Sequence, residues 1–398
     1  MTKTIATIVL LCFFNFLVAD GRNILSLKNT APTVDSADGI CKSMVDTQHY
    51  SCQDHTVTTK DGYILSIIRI GMSAGINEGK TPVLLQHGIL SDALTWISDS
   101  PDESLGFILA DNGLDVWLAN VRGTNYSRGH ISLSPDDSAY WDWSWDELAA
   151  YDLPAMVQYV YGQTGQKLHY VGHSLGTLMA LGAFSRGEVV SMVRSAALLC
   201  PIAYLGQMPS PLARAAADLF IAEALYWLGL NEFAPGGGPA SKLVHDICSN
   251  SGIDCSKLDD VITGPNCCLN SSKSYLDDQQ PTSTKNMVHL AQMIRQGNIA
   301  MYDYGSEDAN NKHYGQPTPP EYNMTQIPND MPLLLSYGGK DLISDVKDVQ
   351  TLIDELGDRD PSNLALVYRE KYSHLDFVHA INAKQVVYNP IMDFFNLH

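Results

Sequence analysis

The 398-residue chain has little positive charge: 25 Lys+Arg stand against 44 Asp+Glu, a formal net charge of −19. Such a surface repels phosphate backbones, which argues against a nucleic-acid partner. Internal repeats and low-complexity tracts are absent, so a repeat array is excluded. Beyond residue 19 there is no apolar run long enough to cross a bilayer, and no transmembrane segment is expected in the mature chain. Only 17% of residues are charged while 45% are hydrophobic. That is ample for a packed core and excludes a disordered or fibrous chain.

The one extended apolar run, Ile5–Ala19, follows Lys3 and is interrupted by Thr7 and Asn15. Ala19-Asp20-Gly21 then offers a small-x-small pattern, so residues 1–21 read as a signal peptide and the mature chain as secreted. Its removal takes Cys12 and leaves seven cysteines, an odd number that implies a free thiol in an oxidising compartment. Cys200 ends the apolar run Ala196–Leu199 and reads as a buried, inert thiol. Cys41 and Cys52 are close together and far from the rest, and are paired. Cys248, Cys255, Cys267 and Cys268 allow three connectivities, of which Cys248–Cys255 is preferred. Their spacing matches no familiar zinc pattern, and no metal or cofactor is expected. Asn125, Asn270 and Asn323 head glycosylation sequons. Asn270 and Asn323 sit in polar surroundings and are the favoured acceptors, whereas Asn125 is expected to lie near the site and is the least favoured.

Short apolar runs at Val83–Gln86, Val116–Ala119, Leu168–Gly172, Ala196–Leu199 and Leu333–Tyr337 read as buried parallel strands. Ser144-Trp-Asp-Glu147 is a capping box opening a helix to about Gly162. Leu175–Phe184 and Val346–Leu356 are further helices. This alternation predicts a doubly wound, mostly parallel α/β sheet formed by 22–200 and 329–398. It fails over 201–328, which reads as an insertion between two strands. That stretch carries a nearly all-apolar helix at Leu212–Leu230 and the break Pro235-Gly-Gly-Gly-Pro239. A lid over the site is expected within residues 201–260; the plainer alternative is a fixed cap with a buried helix.

Tyr170-Val-Gly172-His-Ser174-Leu-Gly176 is a strand entering Gly-x-Ser-x-Gly with a helix behind it, the context of a nucleophile elbow. A serine hydroxyl needs a base, and the base an orienting acid. With this elbow the partners follow in the order Ser, Asp, His. Gly338-Gly339-Lys340-Asp341 places Asp341 on a loop just past a strand. Asp345 competes, but its place before Val346–Leu356 is explained by helix capping. Leu364–Tyr368 reads as the last strand, and His374 follows it on a loop; His379 lies inside the next helical pattern and is read as a packing or surface histidine. His173 is expected only to support the turn. The oxyanion donors are the backbone N–H groups of Leu175 and of Ile89, in the loop after the third strand. His87 shapes that loop.

Beyond these residues, LLQHG at 84–88, ESLGFILADNGLDVWLANVRG at 103–123, DELAAYDLPAM at 146–156, YVGHSLGT at 170–177, NMVHLAQMIRQG at 286–297, YGGKDLISDVKDV at 337–349 and HLDF at 374–377 resemble the acidic lipase family, which includes gastric and lysosomal acid lipases. SCQDHTVTTKDGYIL and GPNCCLNSSKS look most like its plant triacylglycerol lipase 2 type. The resemblance spans residues 38–396. It implies an α/β-hydrolase core with a cap and lid, a triad on Ser174, Asp341 and His374, and oxyanion donors at Ile89 and Leu175. The animal enzymes carry Gln at the position of Leu175, where only the backbone N–H is required. The function expected is a secreted serine carboxylic-ester hydrolase acting on lipid esters, an acylglycerol lipase in transient contact with a lipid interface, outside the cell, in the wall or in the vacuole. An acyltransferase, or an esterase on specialised metabolites, would use the same acyl-enzyme. A catalytically dead lipid-binding protein would not need the complete Ser, Asp, His set.

Overall fold

The uniformly apolar runs become the inner strands of one sheet. The computed structural model describes residues 39–234, 258–270, 279–357 and 359–398. The expected signal segment, Cys248, Cys255 and the Pro235–Pro239 break lie outside these residues. An antiparallel hairpin, β1 (Ser51–Thr58) and β2 (Tyr63–Gly71), forms one edge. β1 mixes half-buried and exposed positions and has no apolar run, so the local pattern does not mark it as a strand. There follow β3 (Pro82–Gln86), β4 (Asp115–Ala119), the short β5 (Gly129–His130), β6 (Leu168–His173) and β7 (Val193–Leu199). β8 (Glu232–Phe233) and β9 (Thr282–Ser283) form a separate two-stranded sheet, and β10 (Leu333–Gly338) and β11 (Leu364–Arg369) complete the main one.

The strand order is β1-β2-β4-β3-β6-β7-β10-β11, parallel from β4 to β11, with β5 on β2. Period-two alternation divides each run between two cores. Leu84, Trp117 and Tyr170 face the core holding the helices Leu153–Thr164 and Leu175–Ser185. Val83, Leu85, Val116 and Val171 face the one holding Leu105–Asp111 and Asn389–Leu397. The order reverses between β3 and β6, and it is outside the carboxyl ends of strands at such a switch point that open α/β sheets hold ligands.

The Ser144 capping box is present: the Asp146 N–H reaches the Ser144 hydroxyl, and Glu147 accepts from the Ser144 N–H. Cys41–Cys52 is a disulfide, and Cys200 is a buried free thiol. Cys267 and Cys268 are bonded to each other.

The expected helix at Leu212–Leu230 is instead two helices, Pro211–Asp218 and Ile221–Trp227, broken at Phe220, whose φ is +55°. The break is held from a distance. Arg295, on the helix Thr284–Gln296, donates to the Ala217 carbonyl at 2.7 Å, pairs with Glu223 and lies over the Phe220 ring. Nor are these helices simply buried, since Leu219, Phe220, Trp227 and Leu228 are exposed, Trp227 at 80%.

The insertion is fastened to the sheet domain through polar contacts around the capping box. Ser283 Oγ donates to the Trp141 carbonyl, Lys285 pairs with Asp142, and the Tyr302 N–H and Tyr322 hydroxyl donate to Asp146. Burial pushes Asp146 up to about 6 and His289 down to about 3. The neutral His289 donates from Nε2 to the Ala300 carbonyl, leaving Nδ1 to face Ser144 Oγ at 3.1 Å.

Candidate active site

β6 runs into the helix Leu175–Ser185 through a single residue, Ser174, at φ +54° and ψ −117°. A non-glycine residue rarely adopts this conformation, and holding one there costs about 1–3 kcal/mol. Neighbouring backbone enforces it. A Cβ on Gly172 would lie 2.8 Å from the carbonyl carbon of Gly176, and one on Gly176 would lie 2.5 Å from the Gln86 carbonyl oxygen on β3. Both glycines of Gly-x-Ser-x-Gly are therefore fixed by close approach. The Ser174 N–H is anchored to the Leu199 carbonyl at 3.0 Å. Leu175 is the first residue of the helix, where an N–H has no partner within the helix and points toward an incoming negative charge.

The loop after β3 abuts the elbow: a Cβ on Gly88 would be 3.1 Å from Ser174 Cβ. Ile89, the next residue, is half-buried. His87 is fully buried and pushed down to about 4 by desolvation. Its Nδ1 donates to the Gly88 carbonyl at 2.7 Å, and its Nε2 accepts the Val121 N–H at 3.3 Å. His87 thus ties the β3 loop to the β4 loop. Arg122, beside it, is buried against Asp61, Asp152 and the Tyr63 ring.

Asp341 and His374 meet after β10 and β11. His374 Nδ1 donates to Asp341 Oδ2 at 2.9 Å, while the N–H groups of Ile343 and Ser344 donate to Asp341 Oδ1 at 2.8 and 2.9 Å. Both side chains are buried. Since Asp341 accepts at Nδ1, the Nε2 lone pair of a neutral His374 is free to act as a base. Asp345 is engaged elsewhere, accepting from the N–H groups of Lys347 and Asp348 at the start of Val346–Leu356. Burial and the adjacent Asp345 push Asp348 up to about 7. His379 pairs with Asp99 at 2.8 Å.

His173 is more than a turn residue. Desolvation holds it well below the ordinary histidine range, and its Nε2 donates to the His374 carbonyl at 3.1 Å. The Cys200 thiol lies 3.4 Å from the same oxygen. Burial, with Asp341 close by, keeps that thiol protonated. No local sequence pattern reveals these contacts, which join β6 and β7 to a loop 174 or more residues away. Among the described residues, two groupings have metal-ligand residue types: His173, Cys200 and His374, and Cys267, Cys268 and Asp376. The first is spent on hydrogen bonds and the second on a disulfide and backbone donors.

The chain matches the family model for the partial alpha/beta-hydrolase lipase region over residues 41–100 and that for the alpha/beta hydrolase fold over 81–379. It is 48% identical over 377 residues to triacylglycerol lipase 2 of Arabidopsis thaliana, covering 93% of this chain and 90% of that one. It is 38% identical over 360 residues to human gastric triacylglycerol lipase, covering 86% and 87%. A soluble variant of monoglyceride lipase from Saccharomyces cerevisiae shares the fold, with a TM-score of 0.53 at 16% identity over 85% of this chain and 94% of that one. An elbow serine at the sheet's switch point, together with identity at this level over nearly the whole chain, makes the protein a member of the acidic lipase family of α/β-hydrolases.

Proposed function

We propose that the protein is a secreted serine carboxylic-ester hydrolase acting on lipid esters, with acylglycerols as the principal substrates. Ser174 is the nucleophile, His374 the general base and Asp341 the acid that orients it. The observation that carries the reading is the His374–Asp341 hydrogen bond of 2.9 Å, on a loop tied to the positive-φ elbow of Ser174 by the bond from His173 Nε2 to the His374 carbonyl. His374 Nε2 takes the hydroxyl proton as Ser174 Oγ attacks the ester carbonyl. The N–H groups of Leu175 and Ile89 stabilise the oxyanion. His374 then returns the proton to the departing alcohol, and water releases the acid from the acyl-enzyme by the same route.

The segment 201–328 acts as a cap, and the exposed Leu219, Phe220, Trp227 and Leu228 provide a surface for transient lipid contact. Entry into the secretory pathway, to the cell exterior, the wall or the vacuole, is supported by the Cys41–Cys52 disulfide and by the sequons. Asn323 is exposed and Asn270 half-buried. Asn125 is exposed too, but its N–H is bound to the Gln280 side chain, so it is the least favoured site.

Ser174→Ala tests the assignment. Ester hydrolysis should fall by about 10⁴-fold or more with the thermal unfolding transition preserved. Activity within tenfold of the parent would overturn it.

A further inference from the structure

The segment Gly264-Pro-Asn-Cys-Cys268 belongs to the insertion, yet its contacts converge on the two loops that hold Asp341 and His374. The carbonyl of Thr263 accepts from the Leu342 N–H at 3.2 Å, just beyond Asp341. It also accepts from Ser373 Oγ at 2.5 Å and from the His374 N–H at 3.4 Å. One oxygen of the insertion thereby bridges the acid loop and the base loop. The chain must come very close to do this. A Cβ on Gly264, at φ +104°, would lie 2.1 Å from the Lys340 carbonyl and 2.4 Å from Ser373 Oγ.

The other half of the arrangement is Asp376, two residues past His374 and fully buried. Its Oδ2 accepts from the N–H groups of Ser373 at 2.8 Å and Cys267 at 3.1 Å, and its Oδ1 from the Cys268 N–H at 3.1 Å. Backbone donors satisfy a buried carboxylate well. Here two of them come from the insertion and one from the residue before His374. The Ile381 N–H closes the contact on the far side by donating to the Cys268 carbonyl at 3.0 Å.

We infer that the 263–268 segment, through the Thr263 carbonyl and the Asp376 carboxylate, is a clamp that holds the His374 loop against the Asp341 loop, and that Asp376 and Ser373 are positioning residues for the base. The inference rests on the reading of His374 as the general base. Neither residue touches the reacting atoms; both act through the backbone on either side of His374. A displacement of about 1 Å in a reacting group is enough to lower a rate 100-fold. The arrangement makes the insertion part of the catalytic geometry as well as a cover over it.

The test compares Asp376→Asn and Ser373→Ala with the parent, counting competent sites by titration of Ser174 with a fluorophosphonate. Asn presents N–H donors to N–H donors and breaks the carboxylate half of the clamp, and Ser373→Ala removes only the bond to the Thr263 carbonyl. Asp376→Asn should lower kcat per titrated site roughly 10- to 100-fold with KM nearly unchanged. It should also broaden or abolish the far-downfield proton resonance of His374 Nδ1–H. Ser373→Ala should show the same effects more weakly, and Asp376→Glu should restore part of the loss. If Asp376→Asn does not fold, Ser373→Ala decides. An unchanged kcat per titrated site and an unchanged resonance, with only the unfolding temperature lowered, would overturn the clamp. An active Ser174→Ala would instead remove the triad reading beneath it.

Discussion

Gly172 and Gly176 are dictated by backbone that leaves no room for a Cβ, whereas the insertion, Gly264 apart, meets the same site mostly through carbonyl and N–H groups that many side chains could accompany. The sheet region shows its proposed triad in residue types. The insertion contributes by where its main chain runs, and its most telling features, the break at Phe220 and the bridge at Thr263, depend on residues far away in sequence. Local pattern therefore reports on most of the first region and on less of the second.

The largest effect that would sharpen this contrast lies within one loop. Asp341→Asn should reduce hydrolysis by about 10⁴-fold, because an amide at that position favours the wrong histidine tautomer. Asp345→Asn, four residues on, should leave the rate within a few-fold, since Asn caps a helix about as well as Asp. Rates measured on a soluble ester decide, and interchanged effects would mean that the acid had been misread.

The same variant carries a pH signature. Asp348 titrates near 7 in the folded chain against 3.8 for an ordinary Asp, so the folded state holds an extra proton between those values. Its contribution to stability is present below pH 4 and is lost as the pH rises to 7. Asp345→Asn removes the repelling charge and should flatten that part of the profile in denaturant titrations across the interval. A profile as steep as the parent's would show that burial alone sets the shift.

Much of the sheet domain was legible because its signals are local. Val346–Leu356 is a helix with the bounds its pattern predicts, and the strands differ from expectation by up to three residues at their ends. His374 pairs with Asp341 while Asp345 and His379 have other partners, and the capping position of Asp345 and the helical pattern around His379 are both visible locally. The β1–β2 hairpin is less legible because β1 has no apolar run and β2 interrupts its apolar residues with Ser66 and Arg69. His173, Cys200 and Asp376 escaped as supports of His374 because a hydrogen bond to a carbonyl or from an N–H leaves no mark on the partner's identity.

A smaller effect tests the exposed face of the insertion. Trp227→Ser should lower activity on an emulsified long-chain ester by about tenfold, within what burying one aromatic side chain supplies. Turnover of a soluble short-chain ester should not change. Equal effects on the two substrates would assign Trp227 to the fold rather than to a lipid surface.

The central claim, that Ser174 forms the acyl-enzyme, is tested most directly by mapping where a fluorophosphonate attaches. The account predicts one adduct, on the peptide carrying Ser174, formed in step with the loss of ester hydrolysis and absent from Asp341→Asn over the same interval. An adduct on another residue, or full loss of hydrolysis with Ser174 unmodified, would contradict it.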